Sequence, residues 1–191
     1  MLSSLKPSYY LLLMLLLLAV AQLCHVYIAD LALIRADISR GQWWRLLSGQ
    51  WVHSNVYHFV SNSVVFSCLS LLDHRAARRK AAEFVALSGL CGAMVYLFCP
   101  ALDYYLGLSG VLHGYLLLIL LSMRRDKPML AYAGVAVLLG KLLLEQFDLY
   151  PRAATEELIG LRVAIEAHLA GAASAVIIFV LELIYSAYKR R

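Results

Sequence analysis

Residues 107–123 read GLSGVLHGYLLLILLSM, a glycine-rich opening that carries Ser109 and His113, followed by an apolar run that stops at Arg124-Arg125. An apolar stretch of this length ending on a basic doublet is the pattern of a membrane helix. Its opposite end holds a serine and a histidine, residue types that a helix in lipid does not need for solubility. Gly110 and Gly114 form a GxxxG spacing, so a second helix can approach this face closely. Ser109 could serve simply as the N-cap of that helix. Alternatively, the glycines beside it let backbone N–H groups approach a ligand or a developing oxyanion.

Outward from this segment, the same pattern recurs. A bilayer core takes about 20 apolar residues per helix, and six stretches qualify, at about 9–28, 55–73, 81–99, 107–123, 129–146 and 160–187. Composition agrees: 62% of residues are hydrophobic and 15% charged, where a soluble domain carries roughly 25% charged. The mean hydropathy is +0.74. The first run, 9–28, is too long for the apolar part of a signal peptide and lacks a small-x-small cleavage site, so it reads as a retained span. The whole chain, 1–191, reads as one membrane domain. The longest connector, 29–54, contains Trp43, Trp44 and Trp51, which favour the headgroup region and place this loop along or partly within the interface.

The formal charge of +5 comes from Lys and Arg in short blocks between apolar runs, which speaks for topology and against nucleic-acid binding. One side collects Lys6, Arg75, Arg78, Arg79, Lys80, Arg124, Arg125, Lys127, Lys189, Arg190 and Arg191; the other has Arg35, Arg40, Arg45, Arg152 and Arg162. The positive-inside rule therefore puts both termini in the cytoplasm and the 29–54 loop outside. Cys24, Cys68, Cys91 and Cys99 show no metal-ligand spacing. Cys24 and Cys99 fall near one face, where a bridge is conceivable, but small buried residues are the simpler reading.

Three polar clusters interrupt the spans. His58 and Asn62 lie four apart at the outward start of the second span and share a helix face, with His53 just before them. Gly107-Leu108-Ser109-Gly110 and His113 open the fourth. In the sixth, Ala167-His168 precedes Gly171 and further small residues. The fourth and sixth helices both present small residues and are natural packing partners, and their contact would bring His168 beside Ser109. A serine nucleophile needs a base within about 2.6–3.2 Å. His113, four residues after Ser109, is a second candidate for that base, and spacing does not choose between the two. Lys141 and Glu145 are an i,i+4 pair that would neutralise one another on the fifth helix. Glu166 lies two residues from His168 and so faces elsewhere. No carboxylate or Cys/His set argues for a metal, and no phosphate-binding loop is present.

In order and placement these features resemble the rhomboid family of intramembrane serine proteases. The resemblance rests on Trp44-Arg45 in the outer loop, His53 and His58-x-x-x-Asn62, Gly107-x-Ser109-Gly110, and Ala167-His168-x-x-Gly171. It implies an all-α six-transmembrane-helix bundle with a water-filled cavity open to the outer side, and no cofactor. It further implies a catalytic dyad of Ser109 and His168, with His58, Asn62 and the Ser109 backbone N–H lining the oxyanion hole. Trp44-Arg45 would shape the outer loop. His113 stands where many rhomboids have a tyrosine that packs on the catalytic histidine. The run Gly-Leu-Ser-Gly-Val-Leu-His-Gly is similar to the rhombosortase branch. That likeness implies a bacterial inner-membrane protein with its site toward the periplasm. Its substrates would be transmembrane segments of exported proteins with glycine-glycine C-terminal sorting tails. Two other classes compete: a non-catalytic rhomboid-like adaptor that binds membrane helices, and a small proton-coupled transporter, for which no inverted repeat is visible.

Overall fold

The computed structural model describes residues 7–27 and 30–190, which are mostly helical. Lys6, Ile28, Ala29 and Arg191, which entered the span and charge readings above, lie outside the described residues. The chain runs α1 (Pro7–Tyr27), β1 (Leu33–Ile34), α2 (Arg35–Ser39), α3 (Arg45–Ser48), α4 (Val56–Leu72) and α5 (Ala77–Phe98). It continues through β2 (Tyr104–Tyr105), α6 (Ser109–Met123), α7 (Pro128–Gln146), α8 (Ala153–Ile159) and α9 (Ile165–Tyr188).

By length and composition α1, α5, α7 and α9 can each cross a membrane; α4, with 17 residues, and α6, with 15, are shorter apolar helices. The helices keep large apolar side chains on their outer faces, among them Leu12 on α1 and Val137 on α7, 62% and 73% exposed. Lipid, not water, suits such a surface.

At the centre, α6 packs most extensively on α9. In lipid no hydrophobic force drives helices together, so close backbone packing must supply the attraction. Small residues allow it here. A Cβ on Gly110 would lie 2.6 Å from the Ala167 carbonyl oxygen, and a Cβ on Gly171 or Gly114 would collide with the backbone of the facing helix. Buried Val111, Tyr115 and Leu118 fill the remaining space around α6. Ser109 and His168 therefore sit on helices whose backbones touch.

Element ends follow local chemistry. Asn55 caps α4, its side-chain oxygen accepting from the His58 N–H at 2.9 Å. Pro128 opens α7, where its missing N–H costs nothing. The sixth apolar stretch, read from 160, becomes helical only at Ile165, because Gly160 (φ 70°) ends the separate short helix α8 in a left-handed turn. Ser109 is not an N-cap: Leu108 takes that position, no side-chain cap bond forms, and Ser109 is the first helical residue.

The long loop is folded rather than loose. β1 pairs antiparallel with β2, Leu33 opposite Tyr105. Arg35 bonds the terminal carbonyls of α5, reaching Tyr96 O at 2.6 Å and Cys99 O at 2.8 Å. Arg45 is buried and bonds Gln42 Oε1 at 2.7 Å, Ala32 O at 2.7 Å and Asp30 O at 2.8 Å. Trp43 and Trp44 are exposed, whereas Trp51 turns inward, bonding Ser88 Oγ at 3.0 Å. All four cysteines are free, so Cys24 and Cys99 are not bridged.

A second polar network lies at the α4–α5 connection. Asp73 pairs with Arg75 at 2.8 Å and accepts from the Tyr115 hydroxyl at 2.9 Å. Arg75 also reaches Glu83 at 2.8 Å, and Arg79 links Glu83 to Glu182 on α9, both at 2.6 Å. Burial opposes the Asp73 charge, but its bonds and charge pairing with Arg75 outweigh that and hold the carboxyl below its ordinary pKa.

Candidate active site

Where α6 begins, the backbone is shaped by a glycine. Gly107 has φ +123°, a conformation that L side chains rarely adopt, and a Cβ there would lie 2.8 Å from the His58 ring. Its N–H donates to Gly49 O at 3.0 Å and its carbonyl accepts from the Tyr105 hydroxyl at 2.7 Å. The loop before the serine is thus pinned on both sides. Two residues later Ser109 turns its hydroxyl toward α9, and its Oγ lies 3.0 Å from His168 Nε2.

His168 is 5% exposed, and its other ring nitrogen, Nδ1, lies 3.0 and 3.1 Å from the two carboxylate oxygens of Glu145 on α7. The His113 ring stacks on it, centroids 4.1 Å apart and planes 20° from parallel. His113 Nδ1 lies 2.7 Å from the Ser109 carbonyl oxygen, and its Nε2 lies 2.6 Å from Lys141 Nζ. Lys141 closes the cluster with a 2.7 Å contact to Glu145 Oε1. His113 therefore bonds the main chain of Ser109, not its hydroxyl.

A 420 Å³ cavity opens above this cluster, lined among others by His58, Asn62, Tyr105, Ser109, His113 and His168. Asn62 is 7% exposed and its Nδ2 has no partner among the described residues. The Ser109 N–H belongs to the first turn of α6, where intrahelical acceptors are lacking. His58 Nδ1 lies 3.1 Å from Ser54 Oγ, whose single proton goes to Ile159 O at 2.7 Å. The histidine must then donate to that serine, which leaves the neutral ring with a lone pair on Nε2.

The remaining sequence candidates surround the site without reaching the serine. His53 is buried edge-on against His58, centroids 4.9 Å apart, and burial, followed by the neighbouring His58, lowers its pKa to about 3. Gln22 of α1 clamps the His53 backbone at both ends, at 2.7 and 3.0 Å. Gly110 and Gly171 bring α6 and α9 together. Trp44 and Arg45 belong to the loop between α1 and α4 and do not line the cavity. His113, Glu145 and His168 carry ligand atoms within 4.8 Å of one another. The Lys141 ammonium lies among them, 2.6 Å from His113 Nε2 and 2.7 Å from Glu145 Oε1.

The Rhomboid domain matches residues 40–184, from the loop between α1 and α4 to the last turns of α9. The chain belongs to the rhomboid family. Comparison with curated proteins gives no significant match. Rhomboids are generally intramembrane serine proteases acting on transmembrane substrates, although non-catalytic members exist. With its apolar helices, this rhomboid is an integral membrane protein. Sequence reasoning passed over Glu145 and Lys141 as a self-neutralising pair, and Gln22 and Ser54 altogether. The missed signal was the Lys-x-x-x-Glu pair within a span, since charges in lipid are costly enough to mark function.

Proposed function

We propose that this rhomboid is a serine endopeptidase that cleaves peptide bonds within the membrane, with Ser109 as nucleophile and His168 as base. The observation that carries the reading is the 3.0 Å contact of Ser109 Oγ with His168 Nε2 at the edge of the cavity. That is the separation a base needs to take the hydroxyl proton.

The reaction follows from the positions of the groups. Ser109 Oγ bonds to the scissile carbonyl carbon as its proton passes to His168 Nε2. The carbonyl oxygen becomes an oxyanion, which Asn62 Nδ2 and the Ser109 N–H meet as donors. His58 shapes this pocket and adds a donor at Nε2 only when its ring is doubly protonated. The tetrahedral species collapses, the C–N bond breaks, and His168 returns the proton to the leaving amine. Water then hydrolyses the acyl-enzyme by the same route in reverse.

On this reading α1, α4, α5, α6, α7 and α9 are six spans of a single domain, with both termini cytoplasmic and the cavity facing the outer side. At 1.5 Å per residue, α6 is about 22 Å long, shorter than the roughly 30 Å hydrocarbon core. The serine at its N-terminus thus sits below the membrane surface, and the cavity above it supplies the water that lipid excludes.

We place the protein in the rhombosortase branch, in a bacterial inner membrane with its site toward the periplasm. Its substrates are the transmembrane segments of exported proteins with glycine-glycine C-terminal tails, whose glycines ease unwinding of the scissile segment. Coexpression of a tail-bearing candidate with wild type or Ser109→Ala, followed by mass spectrometry, tests this. Cleavage at the tail by wild type alone supports the assignment; equal processing by both overturns it.

A further inference from the structure

Two histidines stack beside Ser109, and α7 presents one cation and one carboxylate to them. The direction of each bond follows from what its partners can donate. The Ser109 carbonyl only accepts, so His113 Nδ1 carries the proton of their 2.7 Å bond. A neutral His113 then keeps its lone pair on Nε2, which accepts a hydrogen bond from the Lys141 ammonium at 2.6 Å. Both His113 nitrogens are committed away from the Ser109 hydroxyl.

His168 is arranged in the opposite sense. An ionised Glu145 only accepts, so His168 Nδ1 carries the proton it shares with the carboxylate at 3.0 and 3.1 Å. Its lone pair then lies on Nε2, facing Ser109 Oγ at 3.0 Å. Lys141, which can only donate, lies farther from Nδ1, at 3.4 Å, than the carboxylate does, and its protons go to Glu145 at 2.7 Å and to His113. Glu145 is 2% exposed, and a carboxylate buried at this depth is expensive unless paired. Lys141 meets that cost and still leaves the carboxylate within reach of His168.

We propose that Glu145 is a positioning residue for His168, fixing the Nδ1–H tautomer that leaves Nε2 to take the Ser109 proton. In the same arrangement Lys141 neutralises Glu145 and keeps His113 out of proton transfer. This rests on Ser109 and His168 being nucleophile and base. During attack the serine proton passes to Nε2, the Nδ1 proton stays on the ring, and the carboxylate offsets the imidazolium charge without itself being protonated. The dyad is thereby completed to a Ser-His-Glu arrangement, and two chemically similar histidines receive different roles.

The test uses the full-length protein in detergent and a fluorophosphonate that phosphonylates serine nucleophiles, with kinact and KI measured for wild type, Glu145→Gln and Glu145→Asp. Glu145→Gln is expected to lower kinact at least about 100-fold with KI and the melting temperature little changed, and Glu145→Asp to recover part of the loss. Should Glu145→Gln fold poorly because Lys141 is left unpaired, the double variant Glu145→Gln/Lys141→Met, which carries neither charge, replaces it with the same expectation. A folded variant of either kind with wild-type kinact, or with only KI altered, overturns the positioning role while leaving Ser109 as nucleophile. Absence of any reaction of wild type at Ser109 overturns the nucleophile assignment and this inference with it.

Discussion

His113 lies face to face with His168, rings 4.1 Å apart and 20° from parallel, while its own nitrogens are held by the Ser109 carbonyl and Lys141. Spacing alone left His113 and His168 as rival bases. The contacts separate them: one histidine bonds the serine hydroxyl and the other its backbone. On this account His113 is a packing surface for the base, a task that needs a flat ring and no proton transfer.

His113→Phe is therefore expected to retain activity within a few-fold, and His113→Ala to lose more, the stacking of such a pair being worth about 0.5–1.5 kcal/mol. Cleavage rates of the two variants at matched membrane levels check this. Abolition of cleavage by His113→Phe in a folded protein would instead make His113 a proton carrier.

The glycines between α6 and α9 give a second prediction. Gly171→Val sets a branched side chain against the Gly110 backbone, so it is expected to separate the helices and cost at least about 1–3 kcal/mol. Activity should fall with it, because the Ser109–His168 contact depends on the same approach. Gly140→Ala, on α7, meets nothing within 4 Å and should instead stabilise by roughly 0.5–1 kcal/mol. Thermal unfolding in detergent distinguishes the two.

Gly107→Ala carries a different penalty. Its φ of +123° strains any L residue, and the new methyl meets His58. Labelling of Ser109 by a fluorophosphonate should drop at least about tenfold, with the melting temperature less affected than in Gly171→Val.

Acid should loosen the far end of the bundle. Asp73 is buried, and its pairing with Arg75 holds its folded pKa below the ordinary value against the cost of burial. A carboxylate depressed in the folded state adds stability that is complete above the unfolded pKa, about 3.9. That stability is lost as pH falls through the lower folded value. Asp73→Asn should lower stability at neutral pH by roughly 3–5 kcal/mol, since Arg75 and Tyr115 lose a buried partner. It should also flatten the decline below about pH 4. Melting temperature against pH for both proteins checks the sign.

The membrane setting was readable in the sequence because lipid demands long apolar runs, and these survive in composition without any knowledge of packing. Helix ends were less legible. The stretch from 160 looks continuous in hydropathy, yet Gly160 adopts φ 70° and α9 waits until Ile165. Ser109 resembled a cap because capping chemistry and nucleophile chemistry use the same residue type, and only tertiary structure says which way its hydroxyl turns. Glu145 was hidden for a related reason. Periodicity shows that Lys141 and Glu145 share one face of a helix, but not that this face meets α6 and α9 at His113 and His168.

The central claim is that Ser109 is a nucleophile activated by His168. Mass spectrometry of the purified protein after treatment with a fluorophosphonate tests it most directly. The account predicts one phosphonyl group on the peptide containing Ser109 in wild type, none in Ser109→Ala and a severe reduction in His168→Ala. Equal labelling of wild type and His168→Ala, or labelling that persists in Ser109→Ala, would contradict it.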